Sequence, residues 1–235
     1  MEPAMTRVDQ LNWDLKDHAD QVAEATVDLI LRNAAEALAD HGCFRLVLAG
    51  GGTPRRAYEQ LAEQVLDWSH WLFYYGDERC LPADHEERNS VMACRAWLDK
   101  IQLPSNRHFP MPAELGAAAG AEKYRQTIAD IEAFDLLLLG MGEDGHTASL
   151  FPNQDWQAEA RVIAVKDAPK PPPQRISLGP AVIHGARQRC FIITGAGKAA
   201  AIAQWKNGVE LPISRAALPG DRVIIDTAAW GGEKD

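Results

Sequence analysis

The stretch FDLLLLGMGEDGHTASLFP, residues 134–152, runs four consecutive leucines straight into a turn that holds three glycines, Glu143, Asp144 and His146. A short continuous apolar run is the pattern of a strand buried on both faces, the condition of a strand inside a parallel sheet. A strand that serves only a core needs no such ending. The stretch therefore constrains the chain twice: to an α/β layer architecture, and to a site at the end of one strand.

Other segments fit the same frame. FRLVLAG (44–50), WLFYYGD (71–77), RVIAVKD (161–167), RISLGPAVI (175–183), RCFIITG (189–195) and RVIIDTAA (222–229) read as strands. Residues 19–40 place Val27, Ile30, Leu31, Ala34 and Leu38 at helical spacing, and Gly42 follows as a stop signal. Further helices are predicted over 55–66, 89–99, 116–131 and 198–208. The alternation predicts βαβ units in a mostly parallel twisted sheet with helices on both faces. A single domain over residues 1–235 is expected, because no long Ser/Gly/Pro-rich linker divides the chain. The first strand is expected near Phe44, which leaves room ahead of it for little besides one helix.

Composition narrows the function classes. No run of 18 apolar residues exists, so no membrane span is expected. The first twenty residues lack the basic-then-apolar order of a signal peptide, and four scattered cysteines form no CxxC pair. Both point to a reducing, cytoplasmic setting. The formal net charge of −9 disfavours nucleic acid as a partner. An anionic ligand would need a positive field that is local.

Three polar turns fall at strand ends. In AGGGTPRRAY (49–58), three glycines allow close backbone approach, Thr53 suits an N-cap and Pro54 the first helical position. The helix start is an anion site by its free amides and dipole, though a tight turn without a ligand reads the same way. YGDERCLPADHEERN (75–89) continues a strand into Asp77, Glu78 and Arg79; taken alone it reads first as a solvated charged loop, as charge runs usually are. In the opening stretch Asp144 lies two residues from His146, close enough to steer an imidazole that acts as a base near neutral pH. Thr147, Ala148 and Ser149 are expected to form a helical turn whose amides hold an oxyanion. No convincing metal-ligand set exists among the seven histidines and four cysteines.

With these residues in view, GGTP, GDER and GMGEDGHTASLFP resemble, in that order, the 6-phosphogluconolactonase family. PPPQRISL (171–178), GAGKAAAI (195–202) and IIDTAAW (224–230) look like its later blocks. The resemblance covers nearly the whole chain. It implies a Rossmann-related fold shared with glucosamine-6-phosphate deaminases, and hydrolysis of a sugar-phosphate lactone without cofactor or metal. His146 is then the general base, Asp144 its orienting carboxylate or a holder of sugar hydroxyls, and Arg79 the group near the carbonyl. Asp77 joins the substrate-binding set. The phosphate grip falls to the amides of Gly51, Gly52 and Thr53 with Lys198, assisted by Arg175. Arg88, in EERNS, departs from the Ser-Asn of many relatives and is expected to add a cation to the site. A monomer or weak homo-oligomer is expected.

Two rivals stand beside this reading. A deaminase of the same fold would carry a ring-opening glutamate after Asp-Gly-His, where this chain has TASLFP, and tyrosine where it has Arg79. A sugar-phosphate sensor would carry a DNA-binding segment ahead of the domain, against the acidic charge.

Overall fold

The computed structural model describes residues 7–232. In chain order these hold β1 (Asn12–Lys16), α1 (Ala19–His41), β2 (Phe44–Leu48), α2 (Gly52–Leu61), β3 (Trp71–Tyr75), β4 (Asp77–Arg79), α3 (Asn89–Ala96) and α4 (Ala117–Thr127). There follow β5 (Leu136–Leu139), β6 (Val162–Val165), β7 (Arg175–Leu178), α5 (Pro180–Gly185), β8 (Gln188–Ile193), α6 (Ala199–Lys206), α7 (Pro212–Ala216), β9 (Arg222–Asp226) and α8 (Thr227–Trp230). The first six residues of the stretch read as leaderless lie outside the described residues.

Six strands form one sheet in the order β1-β9-β8-β5-β2-β3, and every neighbouring pair is parallel. Leu136 to Leu139 are all buried, as are Arg189 to Ile193, so layers cover both faces of the central strands. After β2 the chain moves outward to β3, then returns to place β5 on the other side of β2. The order reverses there, and the crevice beyond the carboxyl ends of β2 and β5 is the ligand position of open α/β sheets.

Helix α1 follows the predicted periodicity, with Val27, Ile30 and Ala34 buried, and ends where Gly42 takes a left-handed φ of 76°. An aromatic group of Phe44, Trp68, Trp71, Phe73 and Trp97 fills one end of the core with mostly edge-on contacts.

Several expectations change. The first strand is β1, not β2; NWDLK is an edge strand that pairs only with β9 and is mostly half-buried, so it carries no continuous apolar run. The segments 161–167 and 175–183 do not join the parallel sheet. With Asp77–Arg79 they make a second, antiparallel sheet in the order β4-β7-β6. Strand β7 stops at Leu178, because Pro180 opens α5 and removes a ladder donor. The last strand stops at Asp226, whose carboxylate caps α8 by accepting from the Ala229 amide at 2.8 Å. Helices α3 and α4 end three or four residues before the predicted limits, at Ala96 and Thr127.

His108 lies against β3, with Nε2 2.6 Å from the Tyr75 hydroxyl. Burial lowers its pKa below the ordinary 6.5, and the charge of Asp99 only partly opposes this. The unfolded chain therefore binds this proton more readily than the native one. The group's contribution is fully present above the unfolded value and is lost as pH falls through the folded one. The stability advantage of wild type over His108→Gln is expected to narrow on going from about pH 8 to about pH 5. Denaturant unfolding of both proteins across that range checks it, and a gap that stays constant would contradict it.

Candidate active site

A cleft of about 280 Å³ opens at the carboxyl edge of the parallel sheet. Its walls come from the turn after β2 (Gly50, Gly51), from β4 (Asp77, Arg79), from the loop after β5 (Gly140 to Glu143, His146, Ala148) and from Lys170, Arg175 and Lys198.

The loop after β5 is closed on itself. The Gly142 amide donates to His146 O at 2.8 Å, and the Thr147 hydroxyl to Gly140 O at 2.8 Å. Gly145 takes φ 78°, a left-handed turn that suits glycine. The His146 amide donates to Asp144 Oδ1 at 3.2 Å, and Nδ1 of the same ring lies 2.5 Å from that oxygen. A carboxylate only accepts, so Nδ1 carries the proton and Nε2 presents a lone pair. Burial opposes ionisation of Asp144, but the charge that His146 carries when its ring is protonated, with the hydrogen bonds from its ring and amide, outweighs it and holds the carboxyl below its usual range. The expected helical turn at Thr147–Ser149 is absent: Ala148 has φ 48° and lines the cleft, and the Ser149 amide is spent on Ser177 Oγ at 3.2 Å.

Asp77 is buried with both oxygens engaged, Oδ1 by Asn89 Nδ2 at 3.0 Å and Oδ2 by Ser149 Oγ at 2.7 Å. Arg79 reaches the cleft with one nitrogen on Glu87 O at 2.5 Å. Gly51, rather than Thr53, is the N-cap of α2, with φ 110°. The Thr53 hydroxyl instead meets that of Thr194 at 2.5 Å. The amides of Gly52 and Thr53 belong to the first turn, where an α-helix offers no carbonyl partner. Lys198 closes a 3-10 turn after β8, and burial lowers its pKa below the ordinary 10.5, with Glu143 opposing and Lys170 assisting.

Arg175 donates through Nε and Nη2 to the carbonyls of Lys170, Pro171 and Pro172 at 3.0–3.3 Å, so Nη1 is the nitrogen that it leaves for a ligand. Arg88 does not reach the cleft. It is 2 % exposed and turned inward, with Nη2 2.6 Å from Met111 O, Nη1 3.0 Å from Glu114 and Nε 3.5 Å from Glu78. Its partners are distant in sequence, and no local pattern announced them.

Two wall residues, Asn89 and Lys170, escaped the sequence reading, and Glu143, named in the turn, had no role assigned. Asn89 stands beside Arg88 in sequence; Lys170 and Glu143 meet across the mouth at 3.2 Å. Lysine next to a proline cluster at a strand end is the one signal that pointed to Lys170. Among the described residues, no group of three or more His, Cys, Asp or Glu side chains gathers as a metal site. No described helix is long and apolar enough to cross a membrane.

The fold and the cleft together define an α/β protein whose switch point carries a cleft lined by Arg79, Lys170, Arg175 and Lys198 beside a histidine–carboxylate pair. The sequence pattern of the glucosamine-6-phosphate isomerases/6-phosphogluconolactonase family matches residues 17–225, and the chain belongs to that family. A 6-phosphogluconolactonase of Mycobacterium tuberculosis is 39% identical over 194 residues, covering 76% of this chain and 78% of that one. The crystal structure of 6-phosphogluconolactonase from Thermotoga maritima superposes with a TM-score of 0.80 at 26% identity, covering 92% of this chain and 99% of that one. A monomeric glucosamine-6-phosphate deaminase gives 0.79 at 21% identity over 93% and 98%, a likeness of fold alone.

A Cβ at Gly142 would overlap the His146 ring and the Asp144 carboxylate, whereas one at Gly140 meets nothing within 4 Å. Gly142→Ala is expected to lower kcat/KM about 10²-fold by displacing the imidazole, and Gly140→Ala to change it little. Steady-state kinetics, with circular dichroism to confirm folding, check both.

Proposed function

We propose that this chain hydrolyses 6-phospho-D-glucono-1,5-lactone to 6-phospho-D-gluconate, the second step of the oxidative pentose phosphate pathway, with His146 as general base and without metal or cofactor. The observation that carries it is the imidazole held by Asp144 with Nε2 unblocked, in a cleft lined by Arg79, Lys170, Arg175 and Lys198. The names of the relatives support the same substrate.

Lactone hydrolysis is acyl transfer to water. His146 Nε2 removes a proton from water as its oxygen bonds to C1. The carbonyl oxygen becomes an oxyanion beside Arg79. The intermediate collapses, the C1–O5 bond breaks, and the imidazolium returns the proton to the departing ring oxygen, now the C5 hydroxyl. Asp144 keeps the ring oriented through both transfers. The phosphate, at the far end of the sugar, rests on Lys198, Arg175 Nη1 and the amides of Gly51, Gly52 and Thr53, which fixes C1 without touching the chemistry. Asp77 has lone pairs left to accept from a sugar hydroxyl. Arg88 is left out of this set. We read the protein as a cytoplasmic, single-domain enzyme, a monomer or weak homo-oligomer; the scattered cysteines and the absence of a dividing linker support this.

His146→Gln is expected to keep the fold and lower kcat/KM on the order of 10²–10⁴-fold. The measurement is acid release from freshly made lactone, with the spontaneous rate subtracted. Near-normal turnover by the folded variant would remove the assignment.

Lys198→Ala should lower the ratio of kcat/KM for phosphorylated over unphosphorylated gluconolactone by an amount worth roughly 1.5–3 kcal/mol. Because burial lowers the pKa of Lys198, its charge is lost with rising pH before an ordinary lysine's. Product affinity, followed by calorimetry, should therefore weaken below the ordinary 10.5, and Lys198→Ala should lack that limb. An unchanged ratio would locate the phosphate elsewhere.

A further inference from the structure

We propose that Cys43 is a reactive thiol, activated by His41 and Asp135, that takes peroxide-class oxidants at the edge of the sheet opposite the cleft. Cys43 lies between the end of α1 and the start of β2. The length of β2 separates it from the cleft by roughly 17 Å.

Its Sγ is 3.5 Å from His41 Nδ1, and His41 Nε2 is 2.9 Å from Asp135 Oδ1. Asp135 is buried, and its second oxygen accepts from the Arg45 amide at 2.7 Å. The carboxylate accepts from Nε2–H, so Nδ1 turns its lone pair toward the thiol. The order thiol, imidazole, carboxylate is that of an activated nucleophile. His41 also closes the last turn of α1, where the helix dipole favours a cation. The charged and titratable groups around the pair are Arg187, 3.5 Å from Asp135 and itself 3.1 Å from Asp40, and Tyr74, which feels the charge of Cys43 as well as those of Arg45 and Arg107.

The other thiols lack such a base. Cys80 and Cys94 are half-buried, and burial pushes each up to about 11. Cys190 is fully buried and pushed up to about 12. Of the four thiols, Cys43 is the one that stands within hydrogen-bond distance of an imidazole. In the oxidation, His41 takes the thiol proton and the thiolate attacks one peroxide oxygen. An S–O bond forms and the O–O bond breaks. Sulfur is oxidised by two electrons to the sulfenic acid, the peroxide is reduced, and the departing hydroxide takes the imidazolium proton to become water.

The test is the rate of modification of each thiol in the intact protein, followed by peptide mass spectrometry with iodoacetamide as probe. At pH 7 Cys43 should be alkylated at least about tenfold faster than Cys80 or Cys94. His41→Gln should erase that advantage at neutral pH and recover the wild-type rate near about pH 10, where the thiol ionises unaided. One equivalent of hydrogen peroxide followed by dimedone should mark Cys43. The proposal fails if Cys43 reacts no faster than Cys80, if His41→Gln reacts as wild type at pH 7, or if it stays slow at high pH, which would mean lost access. Fast alkylation without a dimedone adduct would overturn the peroxide assignment. Should His41→Gln not fold, the ranking of the wild-type thiols decides alone.

Discussion

Asp77 is buried, and its two oxygens join segments that the sequence keeps far apart. One oxygen holds Asn89 at the start of α3, the other Ser149 three residues beyond His146. The residue before it, Gly76, donates to Leu48 of the parallel sheet and accepts from Leu178 of the antiparallel one. Asn89 in turn packs so closely on Gly50 that a Cβ there would overlap its amide. The turn after β2, the start of β4 and the loop carrying His146 are thus set against one another through a single carboxylate. A buried carboxylate is tolerated only while its hydrogen bonds are complete, so this junction specifies geometry more than it adds stability.

The same economy governs charge. A protein of net charge −9 binds an anion in the proposed reaction, and it does so by gathering Arg79, Lys170, Arg175 and Lys198 around one small volume. The hydrogen bond to Lys170, with the charges of Lys170 and Lys198, lowers the pKa of Glu143, so it stays ionised between the two lysines. That carboxylate lessens their mutual repulsion while the cleft has no anion of its own. Within a Debye length of about 8 Å the local cations prevail, and beyond it the acidic surface does.

Much of this was legible in the sequence because it is local. The helix Ala19–His41 declared its buried face and its glycine stop, the leucines of β5 declared a strand buried on both sides, and Asp144 and His146 stand two apart in one turn. Pairing is not local. Nothing in RVIAV or RISL says whether the partner runs parallel or antiparallel, so the sequence does not separate the second sheet from the first. NWDLK lacks an apolar run because an edge strand buries little, and Arg88 passed for a site cation because Glu78, Glu114 and Met111, which neutralise and bury it, lie 10 to 26 residues away. Thr53 looked like a cap because threonine caps well in general, yet the chain turns one residue pair earlier, where only Gly51 accommodates φ 110°.

Arg175 has a second occupation with a consequence for how its energy is read. Two of its nitrogens clamp the carbonyls of Lys170, Pro171 and Pro172, so the guanidinium is the hinge pin of the loop that brings Lys170 to the mouth. Truncating Arg175 deletes one cation and unmoors another. Its apparent worth to the proposed phosphate site would then include the displacement of Lys170's charge at the mouth, and the two effects would not add. Lysine is no conservative replacement, for an ammonium lacks the planar fork that spans three carbonyls at once. The loop and the proposed phosphate site share one side chain, and neither can be altered as an independent part.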